Sequence, residues 1–353
     1  MGSPVISLPM IPEPPLRLKL DEAALVHNWR RLDRLSGKAR AGAAVKANAY
    51  GLGAGRVAKV LRDAGCRDFF VAYASEAAEL LGIVDPGQVS ILHGPQHAEE
   101  AQWIAAHGFK PVINSLHQAE LSHAAGSGPC DIMVDTGINR LGLGMPDLSA
   151  PAIARLDIAT VLSHLARAEE DSSFNAVQQN RWSEACAAIG RGERSLANSA
   201  GILLGADFHG DLTRPGLALY GGVPCPGLEP EIRQVAYPEA AIMQIRKVEA
   251  GAGIGYNSTF VAPRDMRVGV VAIGYADGYL RSWSAKGAMQ AAGKSLGVLG
   301  RISMDMTVVD LSEAPEVSEG DWLSVRYALP EAAAISGLSQ YELLTLLGRR
   351  FSR

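Results

Sequence analysis

Through about residue 220 the chain repeats one phrase: a short apolar run, a polar or glycine turn, then a segment with helical hydrophobic period. The apolar runs at 41–47, 69–73, 88–93, 111–114, 131–135, 158–163 and 194–197, with a weaker one at 211–214, predict strands. Ala-rich amphipathic segments at 55–64, 75–82, 97–107, 116–125 and 175–189 predict helices between them. The distance from one strand to the next matches what a strand plus a helix needs when neighbouring strands are parallel. Eight such units predict a (β/α)8 barrel, with an open doubly wound sheet as the alternative. No GxGxxG follows the first strand, which weighs against the open sheet of a dinucleotide-binding fold.

After about residue 235 the texture changes. Stretches such as EAAIMQIRKVEA, MRVGVVAIGY and KSLGVLGRISMDMTVVDL are β-branched, partly alternating and punctuated by glycine. They predict a mostly antiparallel β domain, ended by a short helix near 340–350. The expected division is therefore a barrel over 16–235 and a β domain over 236–353, with the proline-rich residues 1–15 as an arm.

Composition narrows the function classes. The chain has 353 residues, 48% hydrophobic and 20% charged, with a net charge of −4, which excludes disorder and leaves enough apolar side chain for a large core. No run of Lys and Arg offers a nucleic-acid groove or a membrane-surface patch. The first residues lack a basic segment followed by an unbroken apolar one, and Pro12, Pro14 and Pro15 interrupt them, so a cytoplasmic location is expected. The four cysteines are scattered without metal-ligand spacing, and no metal is expected.

If the first unit is a barrel, its chemistry belongs at the C-terminal ends of its strands. The first strand ends on Lys46, where a lysine either snorkels at the rim or is kept for covalent chemistry. Tyr50 follows it. The fifth strand leads into Asp135 and Arg140, the sixth ends on His164, the seventh on Asn198, Ser199 and Gly201, and the eighth leads into Arg214, Pro215 and Gly216. Small, glycine-rich loops after the last two strands are where barrels commonly hold phosphate. Lysine, histidine, serine and arginine on one rim point towards pyridoxal phosphate (PLP). In the second unit, Tyr256 and Tyr275 lie beside glycines, and on composition alone they are ordinary strand-end tyrosines; Met304 and Asp305 follow in GRISMDMTVVD.

At this point a family resemblance appears. AVKANAYG, DTGINRLG, SHLA, NSAG, RPGLALYG, GYNSTF, IGYADGY and GRISMDM occur in the order and approximate spacing of alanine racemase, from about residue 16 to the C-terminus. The resemblance implies a PLP enzyme that interconverts L- and D-alanine and so supplies D-alanine for peptidoglycan. It also implies a head-to-tail homodimer in which each active site is completed by the partner's β domain. By resemblance, Lys46 carries PLP and is one catalytic base. Tyr50, Ser199, and the backbone N–H groups of Gly216 and Leu217 resemble the phosphate ligands. Arg214 resembles the arginine facing the pyridine nitrogen, His164 the imidazole behind the ring, hydrogen-bonded to Arg214, and Arg140 the arginine at the cofactor oxygen and substrate carboxylate. Tyr256 resembles the second base, entering from the other subunit, with Tyr275 and Met304 similar to residues lining the substrate entrance.

Two positions depart from the family. Many members have a carbamylated lysine where this chain has Met133, so another group, an Asn or an anion such as chloride, is expected to hold Arg140; the adjacent Asn139 faces the wrong way. Many also have a phosphate-binding tyrosine near the C-terminus, where the alignment brings Arg349. The alternative activity is a serine or broader-specificity racemase on the same scaffold. A PLP decarboxylase of related fold usually has a longer chain and a cysteine where Ser303 and Met304 stand. A non-catalytic PLP-binding barrel would lack the second unit altogether.

Overall fold

The computed structural model describes residues 12–352; the expected N-terminal arm falls mainly on residues outside that range. Seven parallel strands, Ala43–Ala44, Phe69–Val71, Val89–Ile91, Lys110–Ile113, Cys130–Met133, Ile158–Leu162 and Glu193–Ser195, lie side by side in chain order. All but the last are buried along nearly their whole length, as strands covered on both faces must be. Residues 211–215 close the ring. Asp211 N and Arg214 N donate to Arg194 O and Ala197 O on one side, while Gly42 N and Ala44 N donate to Thr213 O and Pro215 O on the other. The weak eighth run thus completes a (β/α)8 barrel.

The helices on its outside follow their apolar stripes. In Ala54–Ala64 the buried side chains are Ala54, Val57, Ala58 and Leu61, the three-and-four spacing that turns one helical face inward. Ser115 caps the helix Leu116–Ala124 by accepting from Gln118 N, as a serine before an apolar stripe predicts.

The second unit is a curled antiparallel sheet. Its long strand Ala236–Val248 pairs with Met266–Val271 on one edge and with Trp322–Val325 on the other. Between those partners the ladder runs through Thr307–Asp310, Lys294–Leu299 and Ala288–Ala291, so the sheet returns to its own first strand. A bulge between Ile242 and Gln244 lets one strand serve both ladders. Leu16–Leu20 also joins this sheet, antiparallel to Ala236–Val248, so the expected barrel boundary at residue 16 gives way to a strand of the second unit that precedes the barrel. A salt bridge from Lys19 to Glu239, 2.7 Å, accompanies that pairing.

Two short helices, Leu329–Ser336 and Gln340–Thr345, follow the sheet, and Ser352 beyond them exchanges backbone hydrogen bonds with Leu16 and Leu18. The second helix returns to the barrel. Gln340 exchanges hydrogen bonds with both backbone groups of Val223, and a Cβ on Gly51 would lie 2.6 Å from Leu344 O.

Candidate active site

The chain leaves the first barrel strand in an unusual way. Ala47, Asn48, Ala49 and Tyr50 all have positive φ, between 52° and 54°, forming one turn of left-handed helix directly after Lys46. For L-residues this conformation costs about 1–2 kcal/mol each, so four in a row store on the order of 4–8 kcal/mol. Such strain persists only where the surroundings over-determine it. Here Ala49 N bonds to Val45 O, Gly51 N to Ala47 O, and Asn48 Oδ1 accepts from Ala54 N. The turn swings the side chains of Lys46 and Tyr50 towards the same space.

That space is a cavity of about 980 Å³ at the C-terminal ends of the strands. Of the residues expected from sequence, Lys46, Tyr50, Arg140, His164, Ser199, Arg214, Gly216 and Leu217 line it, together with Met133. No Asp or Glu does. The lining therefore gathers cations and donors without a counter-charge, the environment an anion requires.

Several of those donors have no protein acceptor among the described residues: the Lys46 amine, the Arg140 guanidinium, the Tyr50 hydroxyl and the Leu217 N–H. Ser199 Oγ accepts from Gly216 N at 2.9 Å and Ala218 N at 3.3 Å, which leaves its own proton free to point into the cavity. The Gly216 N–H thus meets Ser199 at the same end of the cavity as the free Leu217 N–H. A glycine is required at 216: a Cβ there would sit 2.3 Å from the Tyr50 hydroxyl. Tyr50 is buried and its ring lies 4.8 Å from that of Tyr220, so it has nowhere to retreat.

Arg214 is buried, with its guanidinium donating to Ser195 Oγ, Ser163 O and Leu196 O. These acceptors are neutral, and burial pulls its pKa down to about 10 against the restoring field of Asp131. None of its bonds goes to His164, so the expected hydrogen-bonded pair is replaced by bonds to the barrel wall. Burial, then the charges of Arg214, Arg140 and Lys46, push His164 down to about 3. The imidazole is therefore neutral at neutral pH, and the positive field behind the site comes from arginine. Burial and the charge of Arg140 likewise lower the Lys46 amine below its ordinary value, while Glu76 works the other way.

Met133 packs with Leu92, Val112 and Leu162 in a small apolar cluster. Nothing there can hold Arg140, which is exposed at the end of its loop. Asn139 adopts a left-handed backbone and turns its amide to Gly137 O, in keeping with the expectation that it does not serve.

The lining also includes residues that sequence reasoning missed. Tyr73 and His93, edge to face at 4.5 Å, stand at the ends of the second and third strands, where the rim rule would have found them. Tyr341 and Thr345 come from the helix Gln340–Thr345. Tyr341 lies 6.3 Å from the Tyr50 ring and donates to Glu169 Oε1 at 3.0 Å. Arg349, aligned with the family's C-terminal tyrosine, is exposed and does not line the cavity, whereas Tyr341 lines it beside Tyr50.

Tyr256, Tyr275 and Met304 do not line this cavity. Tyr256 is 61% exposed and Met304 53%, on the surface of the second unit. The turns bearing Tyr275 and Met304 lie together, with Tyr275 N and Ala276 N donating to Ser303 O and Met304 O.

The residues present fit PLP. A rim lysine with a lowered pKa can join its aldehyde, the free donors of Tyr50, Ser199 and Leu217 suit a phosphate, and Arg214 can face the ring.

Known proteins agree with this geometry. The pattern described as "Alanine racemase, N-terminal domain" matches residues 20–224, and "Alanine racemase, C-terminal domain" matches 235–353. The alanine racemase of Rhizobium meliloti is 41% identical, covering 96% of each chain, and the biosynthetic alanine racemase of Agrobacterium fabrum is 39% identical, covering 96% of this chain and 93% of its own. The solved alanine racemase of Bartonella henselae, with covalently bound PLP, superposes with a TM-score of 0.87 at 36% identity, over 97% of this chain and 99% of that one. The biosynthetic alanine racemase of Pseudomonas aeruginosa gives 0.85 at 33% identity over the same shares. With this barrel, this curled sheet and likeness along the whole chain, the protein belongs to the alanine racemase family.

Proposed function

We propose that the protein interconverts L- and D-alanine with PLP held on Lys46 and two bases facing each other across Cα, Lys46 from one chain and Tyr256 from a second copy. The observation that carries this reading is the cavity: a rim lysine, two arginines and several unpartnered donors converge without a carboxylate. Bound PLP supplies an electron sink that acidifies the Cα proton of an amino acid joined to it.

The chain's own residues do the rest. Lys46, with its amine pKa lowered, can take or return a proton on the face that serves D-alanine. Tyr256 does the same on the opposite face, for L-alanine. Arg140 receives the substrate carboxylate in its free guanidinium fork. Tyr50, Ser199 and the backbone N–H groups of Gly216 and Leu217 hold the phosphate end. Arg214 turns a permanent donor towards the pyridine nitrogen, which keeps that nitrogen unprotonated and limits charge delocalisation. The neutral His164 packs behind the ring.

In this reading the barrel, with Tyr341 and Thr345 from the second unit, supplies the cofactor cavity, and the face of the second unit that bears Tyr256 supplies the opposite wall of a neighbour's cavity. Two exposed apolar faces support a head-to-tail homodimer. Tyr256, Val261, Met304 and Met306 are exposed on the second unit, and Tyr73, Leu141 and Met145 at the barrel mouth. Tyr275 and Met304 would then narrow the entrance. The four cysteines are free thiols, three of them buried, as a reducing compartment permits, and we place the protein in the cytoplasm. The deciding experiment is an assay of the PLP-loaded protein against single enantiomers of alanine, serine and larger amino acids. Conversion of both alanine enantiomers with the highest kcat/KM is expected; a preference for serine or a basic amino acid would overturn the substrate.

A further inference from the structure

Glu76 does not line the cavity, yet it touches the strained backbone beside Lys46. It sits in the short helix Ala74–Ala78 and is half-buried. Both carboxylate oxygens accept from backbone: Oε1 from Ala47 N at 2.7 Å and Oε2 from Ala72 N at 2.6 Å. Ala47 follows Lys46 and opens the left-handed run. Ala72 follows the strand Phe69–Val71, which pairs directly with Ala43–Ala44. One ionised side chain therefore ties two adjacent strand ends together where the backbone is strained, through charge-assisted bonds of the stronger kind. The turn's own hydrogen bonds hold its middle and far end; at its entrance Val45 N donates to Phe70 O at 2.9 Å, and Glu76 holds the next free amide, that of Ala47.

We propose that Glu76 is the positioning residue of this site, holding the left-handed turn against the neighbouring strand and so aiming the Lys46 amine into the cavity. This rests on the reading of Lys46 as the residue that bears PLP. The chemistry asks for a carboxylate. An amide of the same shape offers one acceptor and one donor, so a glutamine would set its NH2 against one of two N–H groups. The carboxylate also offsets part of the lowering that burial and Arg140 impose on the amine.

The test uses full-length PLP-loaded protein and the variants Glu76→Gln, Ala47→Gly and their combination. In Glu76→Gln, amide hydrogen exchange at Ala47 should rise about tenfold or more, and PLP should bind about tenfold more weakly. The pH titration of the bound PLP absorbance should move to lower pH, because a negative charge near the amine is gone. Ala47→Gly in the Glu76→Gln background should recover much of the PLP affinity, since glycine adopts the left-handed conformation without the Cβ penalty. It should not restore the pH midpoint. Unchanged exchange at Ala47 and Ala72 in a folded Glu76→Gln protein would overturn the proposal, as would failure of Ala47→Gly to recover affinity. Should Glu76→Gln not fold, the unaltered protein decides: fast exchange of both amides overturns the clamp, and protection of the exposed Ala47 amide supports it. Borohydride reduction followed by peptide mapping separates the two readings, because label on a lysine other than Lys46 refutes that assignment while leaving the exchange result standing.

Discussion

Replacing Gly216 with alanine tests whether the cavity's phosphate end is built by close packing. The added Cβ would lie 2.3 Å from the Tyr50 hydroxyl, 3.0 Å from its Cζ and 3.4 Å from Ala44 Cβ. Non-bonded heavy atoms settle at about 3.5 Å, so the hydroxyl would have to withdraw by roughly 1.2 Å. Tyr50 cannot rotate away, with Tyr220 behind it at 4.8 Å and Tyr341 beside it at 6.3 Å between ring centroids. Overpacking of this kind costs about 1–3 kcal/mol. If the cost falls on the PLP-bound state, where Tyr50 must meet the phosphate, the dissociation constant for PLP rises about 5- to 150-fold. The assay is titration of the PLP-free Gly216→Ala protein with PLP, followed by absorbance, beside thermal melting. Adding Tyr50→Phe removes the atom in closest conflict, so the double variant should regain melting temperature without regaining full PLP affinity. A Gly216→Ala protein that binds PLP as tightly as the unaltered chain would refute the reasoning, because the hydroxyl would then not be where the phosphate is read.

Other outcomes follow from the same geometry. In deuterated water, Tyr256→Phe should slow Cα exchange starting from L-alanine by about 100-fold or more while affecting D-alanine far less; equal losses would indicate a single base. Mixed Lys46→Ala and Tyr256→Phe chains should regain about a quarter of full activity if subunits exchange at random, since half the sites of each hybrid dimer keep both bases; no recovery after demonstrated exchange would count against a shared site. His164, with its pKa pushed down to about 3 when folded, binds fewer protons than in the unfolded chain. Its stabilising contribution is complete above its ordinary pKa of about 6.5 and is lost as pH falls towards 3. His164→Gln should therefore flatten the acid limb of Tm against pH in the PLP-free protein, and an unchanged limb would place the proton uptake elsewhere. Met133 has no amine to carbamylate, so activity should be indifferent to removal and return of bicarbonate, and intact mass should show no adduct there; dependence on bicarbonate would put the carbamate on another lysine.

What could be read from the sequence tracks the range of the interactions involved. Barrel strands such as Cys130–Met133 are buried on both faces, and the apolar run at 131–135 records that locally. The residues at strand ends inherit their place from the same rule, which is why Lys46, His164, Ser199 and Arg214 share one cavity. Leu16–Leu20 was not assignable in this way. Its alternating LRLKL pattern fits a half-buried strand in any sheet, and its partner, Ala236–Val248, begins 220 residues later. Tyr341 and Thr345 were hidden for the same reason, because they reach the cavity from a helix of the second unit.

The left-handed turn was hidden differently. Its sequence, Ala-Asn-Ala-Tyr, carries only one residue that tolerates positive φ, so local propensity argues against the conformation it adopts. The determinants lie outside it: the Glu76 carboxylate from the next strand–helix connection, and Leu344 O pressed against Gly51 from the second unit. Propensity and structure part company where the chain presents its reactive lysine. A strained turn held by two distant partners fixes the amine more narrowly than a relaxed loop could, because releasing the strain means breaking contacts at both ends. The cost on the order of 4–8 kcal/mol in local conformation is therefore spent on orientation, at the residue whose placement the chemistry can least afford to lose.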